Sequence, residues 1–548
     1  MAFIIGAVVG SGGSDAGRGA VTAYAKAWST GDWAAMHAQL TADAQKRVGL
    51  LPFADAGRAA LATATAAETS VRTGRPTKSG DHAWRVPVTV RTRAFGTITG
   101  SVVIPVRDDG GTVKVAWVPR LVFPGLQDGQ RLTRTTTMPA RGALLARDGS
   151  PLAQGPARTS TMPDVAAQVV GKLGAIPPER TDELAALGVP PGAKVGVSGL
   201  ERVFDPQLGG IPSGVLRAGP TVIGRSAGRR GSDVRTTIDP ALERVTAAAL
   251  GARYGGAVAV NPRTGEIYAF AGVPFSILQP PGSTFKMITT AGALDAGIVK
   301  PSDTFPYATQ AVLSGVALAN AGGEDCGGSL ATAFAVSCNS VFAPLGAKLG
   351  AAGLVRTAER FGFNQPSPIP GVAESSIPPA DQIGDDLAVG SSAIGQGRVQ
   401  ATTLEMAQVA ATIANGGRLP RLTLSLDQSR RLDPRGVRFG ARAVKPTTAR
   451  EMRDLMLGVV RYGTGTAAQI PGVPVAGKTG TAELKSRQPG DTSTNPQDTD
   501  AWFAAFAPAQ KGRKARIAVG VMLVGAGAGG DTAAPVAHDI LAAALQRR

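Results

Sequence analysis

Ser283 and Lys286 lie three residues apart in the run Pro280-Pro281-Gly282-Ser283-Thr284-Phe285-Lys286. The Pro and Gly end the preceding loop, so a helix is expected to begin at or near Ser283, with Ser283 and Lys286 on one face, one turn apart. A serine hydroxyl becomes a nucleophile only when something takes its proton. A lysine can do so if burial or a nearby cation depresses its pKa, and a helix N-terminus favours negative charge developing at Ser283. A second pair follows 54 residues on, Ser337 and Asn339 in TAFAVSCNSVF. Alone, Ser-x-Asn reads equally well as a helix cap. Beside Lys286, Ser337 can relay a proton, and Asn339 can hold Lys286 or a substrate amide. The third group is Lys478-Thr479-Gly480-Thr481, on a segment with strand character. Lys478 supplies positive charge, Thr479 and Thr481 offer hydroxyls to a carboxylate, and Gly480 leaves the strand open to close approach. The backbone N–H groups of Ser283 and Thr481 are candidates for an oxyanion hole.

Each motif alone is short enough to occur by chance. Together and in this order, SxxK, SxN and KTG resemble the signature of penicillin-binding proteins and serine β-lactamases. The flanking phrases IGQGRVQATTLEMAQVAATIANGG (394–417) and AWFAAFAP (501–508) resemble the same family. The resemblance implies acyl transfer from a stem peptide ending in D-Ala-D-Ala. Ser283 is the nucleophile, Lys286 the base, Ser337 the relay, and Asn339 and Lys478 complete the catalytic set. Thr479, Gly480 and Thr481 bind substrate. It also implies covalent inhibition by β-lactam antibiotics. No glutamate stands where it clearly marks a deacylating base (Glu324 and Glu483 are merely nearby in sequence), so a long-lived acyl-enzyme with β-lactams is expected. A D,D-carboxypeptidase or endopeptidase that uses water as acceptor would carry the same residues. A β-lactam-sensing receptor should add a multi-span membrane region or an effector domain, and neither is seen.

Around these motifs the chain reads as a multidomain α+β protein. From 236 to 548 it reads as one large domain. A helix in DVRTTIDPALERVTAAAL precedes a hairpin in GGAVAVNPRTGEIYAFAG, and a long helical stretch runs to about 415. Three more strands (VPVAGKTGTAEL, TDAWFAAFAP, RIAVGVMLVG) and a final helix complete it. Two strands, a helical insert, three strands and a helix predict a five-stranded antiparallel sheet flanked by helices, the penicillin-binding/β-lactamase-like transpeptidase fold. Residues 18–126 predict a small α+β unit. Val21, Tyr24, Ala25 and Trp28 share a helical face, Trp33, Met36 and Leu40 continue it, and Trp84, Val86, Val88 and Val90 alternate on a strand. Helices first and a curved antiparallel sheet after resembles the NTF2-like domain that opens some penicillin-binding proteins. Residues 127–235 are Pro/Gly-rich, with short strands and one clear helix near 181–187. Two phrases in this stretch resemble the β-rich pedestal (dimerisation) domain of class B penicillin-binding proteins. The first carries Pro139, Arg141, Gly142, Arg147, Asp148 and Gly149, and the second Gly199, Leu200 and Glu201. The pedestal is a candidate surface for other cell-wall synthesis proteins, and the NTF2-like unit is expected to act as a spacer from the membrane.

Composition narrows the alternatives. Three histidines (His37, His82, His538) lie far apart and away from any Gly-rich serine elbow, which argues against a Ser-His-Asp hydrolase or a His-ligated metal. No metal and no cofactor is expected. A net charge of +17 favours an anionic partner. With no zinc-finger spacing, RNA-binding aromatic motif or basic helix, nucleic acid is not that partner. Cys326 and Cys338 fall outside any CxxC pattern, and in an oxidising, extracytoplasmic setting they can pair. The apolar run Ala2–Val9 is shorter than the ~20 residues a bilayer span needs and lacks a basic flank. It can be the tail of a longer anchor, holding the protein at the outer face of the cytoplasmic membrane.

Overall fold

A computed structural model describes residues 12–432, 439–483 and 495–546. The apolar run at Ala2–Val9 lies outside the described residues. No helix among those described is long and apolar enough to cross a membrane.

Chain contacts divide the protein into two compact units, and the stretch 127–235 contributes to both. Of the described residues, the first unit contains 12–142, 173–197 and 205–232. It opens with helix α1 (Gly12–Thr30), followed among others by α2 (Leu50–Thr63). Strands β1 (Ala66–Thr73), β2 (Ala83–Thr92), β3 (Thr97–Asp109) and β4 (Thr112–Val115) then pair antiparallel in that order, with Thr77–Lys78 adding a short fifth strand against β2. The expected helical face is the buried one: Val21, Tyr24, Ala25 and Trp28 join Trp33, Met36 and Leu40 against Val86, Val88 and Val90. A second sheet of this unit joins β5 (Leu132–Thr137), β6 (Ile211–Ala218) and β7 (Thr221–Arg229) in the order β7-β6-β5. Arg141 of the first pedestal phrase lies here, 2.8 Å from buried Asp205, which also accepts from Arg180 at 3.0 Å.

The second unit contains 143–172, 198–204 and 233–548. Its centre is a five-stranded antiparallel sheet. Helix α3 (Pro240–Leu250), capped by the Asp239 carboxylate, precedes β8 (Gly255–Val260) and β9 (Ile267–Gly272). The insert carries α4 (Lys286–Asp295), α5 (Asn339–Phe361), α6 (Thr403–Ala414) and α7 (Pro446–Arg461). It is less uniformly helical than the sequence suggests, because short two-stranded sheets between 304 and 329 interrupt it. Then come β10 (Ala476–Glu483), β11 (Thr499–Ala507), β12 (Ile517–Leu523) and the closing helix α8 (Gly529–Gln546). The order is β9-β8-β12-β11-β10, which leaves β10, the strand with Lys478, at an edge.

Both faces of the sheet are buried, and side-chain alternation sorts the residues. On β11, Trp502, Ala504 and Phe506 enter the core shared with the insert helices. Phe503, Ala505 and Ala507 enter the core beneath α3 and α8. The result is a sheet with helices on both sides.

One buried group breaks the apolar pattern beneath the sheet. Glu243 of α3 is fully buried, and its Oε2 accepts from the Phe270 N–H at 2.8 Å. Burial raises its pKa from 4.5 to about 8. The folded protein therefore holds a proton between those values that the unfolded chain releases, and stability falls as pH rises through that window. Glu243→Gln should flatten this dependence, removing up to about 1.4 kcal/mol per pH unit from the slope. Chemical denaturation at pH 5, 6.5 and 8 measures it; equal slopes for variant and parent would contradict the assignment.

Candidate active site

Ser283 lies on a 3-10 turn, Gly282–Phe285, and the α-helix proper starts at Lys286. The turn is held by the Gly282 N–H donating to the Gly395 carbonyl at 2.9 Å. Gly282 adopts φ +52°, in the left-handed region that favours glycine, and a Cβ there would stand 2.7 Å from the Thr481 carbonyl oxygen. The turn thus packs directly on the β10 backbone, and Ser283 is left part-exposed.

Lys286 is fully buried. Its Nζ donates to the Ser337 carbonyl at 2.6 Å, to Asn339 Oδ1 at 2.7 Å and to Ser337 Oγ at 3.2 Å. Lys478, also fully buried, donates from Nζ to the same Ser337 Oγ at 2.9 Å and to its neighbour's carbonyl, Thr479 O, at 3.1 Å. Ser337 is therefore the shared partner of two lysines. Its backbone is left-handed, φ +66°, an uncommon conformation for a side-chain-bearing residue outside Asn, Asp and His. It lies between a short helix, Leu330–Ala335, and the start of α5 at Asn339, so its carbonyl and hydroxyl both face the ammonium groups. The Asn339 amide donates to Ala319 O at 2.9 Å, which orients its oxygen toward Lys286. Phe342 and Phe334 place their rings 5.7 Å from Lys286 Nζ and Lys478 Nζ.

Among the described residues, no carboxylate is paired with either lysine. Burial drives Lys286 well below its ordinary 10.5, and the Lys478 charge drives it further. Burial brings Lys478 to about 7. Burial and the Lys478 charge together push Lys286 toward the neutral amine, beside a group able to keep a positive charge once an anion arrives.

On β10 the two threonines share one face of the strand but differ in burial. Thr479 is buried, and its hydroxyl hydrogen-bonds Thr464 Oγ1 at 2.6 Å. Thr481 is more open and accepts from the Gly529 N–H, at the start of α8, at 3.4 Å. Gly480 has a task beyond leaving room for a ligand. A Cβ there would meet Pro281 O at 2.8 Å, Trp502 Cβ at 2.9 Å and Thr284 Cγ2 at 3.0 Å. Its missing side chain sets the distance between strand and nucleophile turn.

Ser283, Lys286, Ser337, Asn339, Lys478 and Thr481 thus come from three distant segments to one place, with Thr479 engaged just below. Thr464, Gly395 and Gly529 also shape the site and were not singled out from the sequence. Gly395 stands in the flanking phrase IGQGR, which was a usable signal; Thr464 and Gly529 had none. Cys326 and Cys338 form a disulfide, with Cα atoms 5.8 Å apart, that ties strand Cys326–Ser329 to the residue after Ser337. Glu324 and Glu483 are exposed. Among the described residues, no cluster of His, Cys, Asp or Glu could hold a metal ion.

Comparison with known proteins gives the same reading. Residues 255–542 match the penicillin binding protein transpeptidase domain, and residues 16–130 match the NTF2-like N-terminal transpeptidase domain. The chain is 36% identical over 409 residues to the peptidoglycan D,D-transpeptidase PbpA of Mycolicibacterium smegmatis, spanning 64% of this chain and 80% of that protein. To PbpA of Mycobacterium tuberculosis H37Rv it is 35% identical over 407 residues, spanning 63% and 79%. Among solved structures, M. tuberculosis PBPA aligns with TM-score 0.57 at 30% identity, covering 74% of this chain and 100% of that one. The penicillin G acyl-enzyme complex of the same protein aligns with TM-score 0.56 at 31% identity, covering 74% and 100%. Sheet, site and matches define a serine acyltransferase. The chain belongs to the penicillin-binding protein transpeptidase family, with an NTF2-like domain at its N-terminal side.

If Gly480 sets the spacing at the nucleophile turn, Gly480→Ala should slow labelling of Ser283 by a fluorescent penicillin by roughly 10- to 100-fold, the scale of small misplacements at a reacting centre. Stopped-flow labelling checks this, with circular dichroism confirming the fold; unchanged labelling would show that the contact is slack.

Proposed function

We propose that this chain is a peptidoglycan D,D-transpeptidase that cross-links stem peptides through an acyl-enzyme on Ser283. The observation that carries the reading is the pair of buried lysines converging on Ser337, with no carboxylate beside them among the described residues. That arrangement suits a base that must be uncharged and a proton relay in contact with it.

A stem peptide ending in D-Ala-D-Ala lies along the open edge of β10, as an added strand. Its terminal carboxylate meets Lys478 and the Thr481 hydroxyl, with Thr479 beneath. Lys286 takes the Ser283 proton while Ser283 Oγ bonds to the penultimate carbonyl carbon. The backbone N–H groups of Ser283 and Thr481 stabilise the oxyanion. The carbon–nitrogen bond then breaks, and the terminal D-Ala leaves with a proton passed through Ser337. The amine of a second stem peptide attacks the ester, releases Ser283 and completes the cross-link. A β-lactam enters the same path and remains as the ester. Asn339 holds Lys286 and the substrate amide in register.

In this reading 18–126 is the NTF2-like spacer, 127–235 the pedestal through which other cell-wall synthesis proteins dock, and 236–548 the transpeptidase. A protein that acts on peptidoglycan works outside the cytoplasmic membrane, and in this reading its N-terminal segment anchors it at the outer face. The Cys326–Cys338 disulfide supports an oxidising compartment.

Mass spectrometry after incubation with penicillin should find one adduct, on Ser283, and none in Ser283→Ala; an adduct elsewhere would overturn the nucleophile. The rate of acylation should rise with pH as Lys286 loses its proton. Because the Lys478 charge lowers Lys286, Lys478→Ala should shift that rise to higher pH and cut the rate at pH 7 by about 100-fold. A pH profile of labelling decides this: a rising limb left where it was would separate Lys286 from Lys478 electrostatically.

A further inference from the structure

The second unit contains another cavity, of about 950 Å³, at the opposite end of α4 from Ser283. Gly292, Asp295 and Ala296 form its wall on the α4 side, and none of the catalytic residues lines it. The volume lies in the range of small-molecule sites.

Its walls combine three features. Leu349, Leu404, Leu419 and Leu422 give an apolar body. Arg356 and Arg421 also line it and are exposed, and neither has a side-chain partner among the described residues. The third arginine, Arg360, stands 3.7 Å from Asp295, which also accepts from Thr448 Oγ1 at 2.8 Å. The remaining carboxylates on the wall are Glu359 and Glu405.

Glu405, in the first turn of α6, is the unusual group. Its Oε1 is buried with no hydrogen-bond partner. The Gly362 backbone covers that oxygen closely, since a Cβ on Gly362 would stand 2.7 Å from it. A buried polar atom left without a partner is destabilising, and such atoms are rare enough in native structures to call for an explanation. Burial raises the Glu405 carboxyl to about 8, so near neutral pH it is largely protonated and can donate as well as accept. With Glu405 neutral and Asp295 engaged by Arg360, the two arginines Arg356 and Arg421 outnumber the one remaining carboxylate, Glu359.

We propose that this cavity is a binding site for a small amphipathic carboxylic acid, its carboxylate at Arg356 and Arg421 and its apolar body along Leu349, Leu404 and Leu422. A polar atom of the ligand meets the Glu405 carboxyl through its other oxygen, Oε2, because Oε1 lies beneath the Gly362 backbone. Two sources share this chemistry, a fatty acid and the C-terminal end of an acylated peptide.

Isothermal titration of the full chain with decanoate and with N-acetyl-Leu-Leu distinguishes them. One of the two should saturate at one site per chain with Kd below about 1 mM, and which one does so identifies the source. Prior acylation of Ser283 by penicillin should leave that Kd within twofold, because the site is separate. Arg356→Ala with Arg421→Ala should weaken binding at least tenfold. Glu405→Gln, which keeps a donor and an acceptor, should bind within threefold of the parent, whereas Glu405→Leu should weaken binding about tenfold. Penicillin labelling at the parental rate certifies the fold of each variant and tests the active-site reading separately. Saturation by neither acid, loss of binding on acylation of Ser283, or full affinity in the double arginine variant would overturn the proposal.

Discussion

Two ammonium groups share one serine in a dry site, and much of the second unit follows from making that tolerable. Lys286 and Lys478 both reach Ser337 Oγ, and among the described residues neither has a carboxylate to neutralise it. Two buried like charges cannot both persist, so at least one lysine gives up its proton. A carboxylate at this point would restore ordinary lysine pKa values and remove the base. The oxygens that do surround Lys286, the Ser337 carbonyl and the Asn339 amide, accept hydrogen bonds without adding formal charge. Ser337 offers its carbonyl and hydroxyl together from a left-handed backbone, the kind of local strain that accumulates at functional sites.

The sheet supplies the second constraint. Lys478 must be buried, yet the strand that carries it must keep an open edge for a peptide. The order β9-β8-β12-β11-β10 achieves both: β10 pairs with β11 on one side only, while its faces are covered by helices. The nucleophile turn then packs onto β10 through backbone rather than side chains, at Gly282 and Gly480. Distances set by backbone contacts vary less than distances set by long side chains, which suits a site that must hold an attacking oxygen in place.

What could be read from the chain divides along the same line. The eight residues of the three motifs were legible because their types carry chemistry and their local spacing is short. The sheet was legible because β11 and β12 alternate between two cores and read as apolar runs buried on both faces. Trp28, Tyr24 and Val21 declared the first helix through their period. The contacts that tune the site were not legible. Thr464 meets Thr479 only after α7 and β10 pack, and Gly529 approaches Thr481 across 48 residues of chain. Neither leaves a local pattern. The short sheets within the insert lie in Gly-rich segments without alternation, so they merged into the helical reading. The division of 127–235 between two units reflects long-range pairings, such as β5 with β6, that no local window contains.

The buried ionisable groups also oppose one another in a way that bears on where the enzyme works. Glu243 and Glu405, both raised to about 8, lower stability as pH climbs from about 4.5, because the unfolded chain releases protons that the fold retains. Lys478, lowered to about 7, acts in the opposite sense. Between 7 and 10.5 the unfolded chain holds a proton that the fold has lost, so stability is regained as pH rises; Lys286, also lowered by burial, acts in the same sense. The two trends overlap between about 7 and 8. These buried groups therefore contribute least to stability around that window, where the Lys478 charge is poised and Lys286 is pushed toward the neutral amine that acyl transfer needs. Pairing the lysines with the carboxylates would remove the weakness and the base together. The arrangement gives up stability at neutral pH for a reactive serine, and the apolar cores on both faces of the sheet must supply the difference.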